Sequence, residues 1–162
     1  MNDRDSLREL LYGVGSHVHI LDGLDGLDPQ VAGTMPGHGA HSIFQILGHM
    51  VYWQDIALAR MRGERPPEPS TAAEGWLTPQ APEDESDWQA AIASLAEGLR
   101  SIEAMVADTS YDLDRALDGT KNRTGRGEVL MVQGHNSYHL GQIVELRRQL
   151  GSWPPPKGGD SW

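Results

Sequence analysis

The chain has 162 residues, 38% of them hydrophobic and 22% charged, with no cysteine and a formal net charge of -10. That length suits one domain with a core of ordinary size, and the composition is that of a globular protein. So acidic a surface repels nucleic-acid phosphates and anionic membranes, and the lack of cysteine excludes disulfides, zinc–thiolate sites and a cysteine nucleophile.

The ten prolines fall at 29 and 36, at 66, 67, 69, 79 and 82, and at 154 to 156. Long proline-free stretches lie between them, and each carries helical periodicity. The first runs from Asp3 to Leu24, where Leu7, Leu10, Leu11, Val14, Val18 and Leu21 recur at spacings of three and four. The second runs from Ala40 to Arg62, with Ile43, Ile46, Leu47, Met50, Trp53, Ala57, Leu58 and Met61 on its apolar side. The third opens on Ser86 and Gln89, which fit a capping box, and continues through Trp88, Ile92, Leu95, Leu99, Ile102 and Val106. The fourth runs from Thr124, an expected N-cap, to Leu150; Arg147 and Arg148 suit its negative end, and Gly151 its C-cap.

No segment alternates with period two, so the expected fold class is all-α, a four-helix bundle. The proline-rich stretch from Gly63 to Glu85 is too long for a hairpin and predicts a crossover between the second and third helices. One bundle domain is expected over residues 1–156, with a flexible tail at 157–162. No apolar run approaches the roughly 20 residues that span a bilayer, and "MNDRDSLREL" is too charged for a signal peptide. A cytoplasmic location is therefore expected, with no membrane and no nucleic-acid partner.

The fourth helix is unusual in one respect. On a wheel of about 100° per residue, Met131, Val132, Ile143, Leu146 and Leu150 fall within roughly 80° of His135. His139, Gln142 and Glu128 fall inside the same apolar stripe. Burying such groups without partners costs about 1–3 kcal/mol each. Histidines at i and i+4 stack on one face and can both reach a single metal ion at about 2.0–2.1 Å. His49, midway along the second helix, is the third candidate ligand. Hydrogen-bonded core histidines are the other reading of the same residues. The pair is no zinc-protease motif, since Asn136 stands where a glutamate is needed. Ser137 points away from the histidine face.

Gln142 is placed to hydrogen-bond a ligand imidazole or a metal-bound water, or to bond a neighbouring helix. Tyr138 at the stripe's edge is expected to pack, and Trp53, one turn after His49, to wall the pocket or pack. His17 is expected at the pocket mouth, with His19 facing solvent. His38 and His41 precede the second helix, where His41 is expected to make a helix-start hydrogen bond. "LGSWPPP" is expected to cap the bundle end with Trp153 beneath the prolines, and the basic "KNRTGRG" to be a solvated loop.

"HSIFQILGHMVYWQD" and "HNSYHLGQIVELRRQLGSWPP" together resemble the DinB-like superfamily, which includes YfiT-like proteins, and the resemblance extends over nearly the whole chain. It implies an up-down-down-up bundle, frequent homodimers, and a divalent metal held by three histidines, here His49, His135 and His139. Zinc or nickel is expected, with manganese and iron as alternatives. Three neutral imidazoles leave a coordination position open, a catalytic pattern. Relatives that look like thiol S-transferases and thiol-dependent isomerases imply a metal-dependent transferase acting on a small molecule with a low-molecular-weight thiol. The alternatives are a hydrolase using metal-bound hydroxide and a non-catalytic, metal-stabilised binding protein. The candidate catalytic residues are Gln142, Glu128 and Tyr138, although Glu128 lies about 10 Å from His135 by helical rise.

Overall fold

A computed structural model describes residues 2–37, 41–67, 69–76 and 78–159. Its helices are α1 (Asp3–Leu11), α2 (Pro29–Ala32), α3 (Ile43–Met61), α4 (Glu85–Ala107) and α5 (Gly125–Gln149), with short 3-10 turns at Asp22–Leu24 and Ala72–Gly75. No strand occurs among the described residues. The expected helix start at Ala40, His38 and the last three residues of the tail lie outside them.

The first helix is shorter than its periodicity predicts. It opens on a capping box between Asn2 and Asp5 and ends after Leu11. Gly13 and Gly15 then take φ of +84° and +76°, a left-handed backbone that ends an α-helix. Val18, Ile20, Leu24 and Leu27 reach the core from an irregular segment instead. A methyl group on Gly13 would sit 2.0 Å from the His17 ring, which folds back over it.

Ser42 caps α3 through the amide of Gln45, and Gln45 returns the bond to complete the box. The box expected at Ser86 and Gln89 is absent, because Asp84 caps α4 by accepting from the Asp87 amide. Thr124 caps α5 as expected, and Gly151 turns the chain with φ +69°. Arg147 is not merely a dipole partner. It is buried and donates to the carbonyls of Gly23, Asp25 and Ser152, tying the segment after α1 to the end of α5. Trp153 is half-buried against the core, with the guanidinium carbons of Arg147 and Arg148 at 5.7 and 5.6 Å from its ring centre. Lys157, at the start of the expected tail, pairs with Asp22 at 3.0 Å.

Packing fixes the helix directions. Phe44 meets Trp88 and Gln54 meets Gly98, so α3 and α4 run the same way, as the expected crossover requires. His49 faces His135, and Arg60 faces Glu128, so α3 and α5 are antiparallel. Arg4 reaches the Val106 carbonyl and Arg8 the Glu103 carboxylate, so α1 and α4 are antiparallel too. Trp88, Leu95, Leu99, Ile102, Leu47, Met50 and Ile143 are essentially inaccessible at the centre.

The outer face of α5 carries Gly127, Gly134 and Gly141 at seven-residue intervals. A methyl added at Gly134 or Gly141 meets nothing within 4 Å. Glycine in a helix interior costs about 1 kcal/mol relative to alanine. Gly134→Ala is therefore expected to raise the melting temperature by about 2–4 °C in thermal denaturation. A lower melting temperature would mean that another surface covers this face.

Candidate metal centre

α3 and α5 bring His49, His135 and His139 together, with the three ligand nitrogens within 4.8 Å of one another. His49 and His139 are buried and His135 is half-buried. The rings crowd closely, with centroids 4.4 Å apart for His135 and His139, 4.8 Å for His49 and His139, and 5.0 Å for His49 and His135.

Neighbours fix which nitrogen each ring presents. The His49 Nδ1–H donates to the Gly75 carbonyl at 2.8 Å, which leaves Nε2 as the lone-pair nitrogen. The His139 Nδ1–H donates to the Gln142 side-chain oxygen at 2.8 Å, with the same result. The Nε2 atoms of His135 and His49 face one another across 3.2 Å. Ligands about 2.0–2.1 Å from a tetrahedral ion stand about 3.3 Å apart, so this spacing suits a shared cation. The donor set fits a divalent metal: three nitrogens, two of them held from behind by acceptors.

Burial pushes all three imidazoles below the usual histidine range, His135 to about 4, and neighbouring rings add to the effect. They stay neutral at pH 7, as ligation requires. In the unfolded chain a histidine takes up its proton near pH 6.5. Between that value and about 4 the unfolded state therefore binds more protons at His135, and stability falls as pH falls. The melting temperature of metal-depleted protein is expected to drop over this window, and less steeply in His135→Ala.

The crossover supplies a wall that has no counterpart in the sequence reading. Trp76 stacks on His49 at 3.8 Å and on His41 at 3.7 Å, so the three rings form one column. His41 makes no helix-start bond of the expected kind; that role belongs to Ser42, and the Nδ1 of His41 is buried without a protein partner. Trp53 stands edge-on to His49 and to His135, each at 6.4 Å. Proline-rich connections have no periodicity, so no sequence signal pointed to Gly75 or Trp76.

The other expected residues divide. Gln142 holds His139, one of its two expected roles. Tyr138 does not pack into the core: it is 65% exposed, with its ring edge-on to His139 at 5.1 Å. Glu128 is fully buried, 3.2 Å from the Arg123 guanidinium and 3.6 Å from that of Arg60. His17 is not at the pocket mouth; its Nδ1–H donates to the Val18 carbonyl and its Nε2 accepts from Ser137 at 2.7 Å. His19 is half-buried and stacks on Tyr12 at 5.2 Å. The basic segment is not a free solvated loop, because Arg126 pairs with Asp3 and Asp114 while Arg123 pairs with Glu128.

A family model described as the DinB superfamily matches residues 19–143, a span that includes all three clustered histidines. No curated protein and no solved structure matches the chain.

Proposed function

The chain belongs to the DinB superfamily, and from that premise we propose that it is a divalent-metal-dependent transferase that uses a low-molecular-weight thiol. The observation that carries this reading is the donor set, three neutral imidazoles with no carboxylate among them. Such a set leaves the ion's charge uncompensated and favours an anionic fourth ligand. When bound, the ion supplies a Lewis acid that stabilises a thiolate over its thiol. The chain has no cysteine, so the thiol is a cosubstrate.

The protein's own residues orient and shield. Gly75 and Gln142 hold the His49 and His139 rings from behind. Trp76 and Trp53 flank His49 and limit water on that side. Hydrolysis is the weaker reading, because the buried carboxylate on α5, Glu128, is engaged by two arginines and lies about two turns from His135. Zinc and nickel suit three imidazoles best.

The test is turnover of 1-chloro-2,4-dinitrobenzene with glutathione, bacillithiol or mycothiol, comparing metal-loaded with metal-depleted protein. A metal-dependent rate with one of these thiols is the expected result. No rate above the metal-free control with any of the three overturns the reading. Metal-dependent cleavage of p-nitrophenyl acetate without thiol would replace it with hydrolysis.

A further inference from the structure

Beside the histidine cluster lies a groove of about 430 Å³ between the start of α3 and the C-terminal half of α5. That size falls within the range of small-molecule sites. Ile46 and Leu146 give it an apolar floor, and His41 and Tyr138 line it with rings. It touches the centre through two residues: Gln142 lines it and holds His139, while Tyr138 lines it and stands edge-on to the same imidazole. His41 links it to the other ligand helix through the ring column with Trp76 and His49. An occupant of the groove therefore lies against the side chains that position and flank the ligands.

The charge in the groove is of one sign. Glu145 lines it, and its carboxylate accepts from the Gln149 amide at 3.0 Å. Among the described residues it makes no ion pair. The next cations along the helix are both turned elsewhere, Arg147 to the carbonyls of Gly23, Asp25 and Ser152 and Arg148 over the Trp153 ring. Among the described residues, no lysine or arginine lines the groove. The exposed Tyr138 ring adds a second preference of the same sign, since an aromatic face attracts cations.

We propose that this groove binds the acceptor substrate and that this substrate is a small, flat aromatic cation, its ring on Ile46 and Leu146 and its charge toward Tyr138 and Glu145. The assignment of the ligand as acceptor rests on the thiol-transfer reading above; the binding preference does not.

The test uses benzyltrimethylammonium, which cannot ligate a metal, against neutral benzyl alcohol. Calorimetric titration of the full chain, metal-loaded and metal-depleted, is expected to give the cation at least a tenfold lower Kd in both. Glu145→Gln should remove most of that preference. Gly141→Leu should abolish binding by filling the groove, at a helical position where an added Cβ meets nothing within 4 Å. Gly134→Leu, equally open but outside the groove, should bind as the parent does. Equal affinities for cation and alcohol, or a preference that survives Glu145→Gln, would overturn the proposal. So would binding that Gly141→Leu leaves intact, or no binding at all. Cation binding without any thiol turnover would remove the transferase reading alone, and turnover without cation preference would remove the groove alone.

Discussion

His135→Ala is expected to lower metal affinity by more than about 100-fold. Mutation of residues that merely support a ligand costs about 10–100-fold, and removal of one nitrogen donor from a set of three exceeds that. Elemental analysis of the purified variant and competition with a chromogenic chelator read the loss directly. A second consequence follows by linkage. A ligand at 100 times its Kd stabilises the native state by about 2.7 kcal/mol, so chelation should lower the melting temperature of the parent. In His135→Ala that chelator-induced shift should vanish. His17→Ala is the control, since His17 bonds Ser137 and Val18 rather than joining the cluster. If His135→Ala retained stoichiometric metal, the three-histidine centre would be wrong.

Glu128→Gln is expected to destabilise the fold by about 3 kcal/mol while leaving metal content intact. The carboxylate is inaccessible, and the Arg60 side chain opposite it is 5% exposed. Neutralising Glu128 breaks a buried ion pair, and removing one partner of such a pair typically costs about 3–5 kcal/mol. For a chain of this size, 3 kcal/mol corresponds to a melting temperature lower by about 6–12 °C. Arg123 is half-exposed, so water replaces part of what it loses. Activity per folded molecule should change little. An undiminished melting temperature with abolished turnover would instead make Glu128 part of the chemistry.

These two residues show what sequence reading captures and where it fails. His135 and His139 were legible because α5 is long and regular, so their spacing and their place in an apolar stripe carry straight into three dimensions. His49 was legible for the same reason on α3, helped by the family likeness of the two motifs. Glu128 was legible as a buried acid, yet its partner Arg60 sits on another helix, and no spacing rule links positions 60 and 128. The first helix misled because its apolar spacing continues past Gly13 and Gly15, where backbone conformation overrules the pattern. His17 was misplaced as a result, since its ring turns back over Gly13 instead of projecting from a helix face. The groove shared by His41, Tyr138 and Glu145 arises from two segments about a hundred positions apart, and only the folded chain juxtaposes them.

Because α3 and α4 run in the same direction, the chain must travel back along the bundle, and on that return it places the Gly75 carbonyl behind His49. The acceptor behind this ligand is therefore a main-chain carbonyl 26 positions downstream, which no side-chain substitution at Gly75 deletes. Orientation of the imidazole is encoded in the path of the backbone rather than in the identity of a side chain.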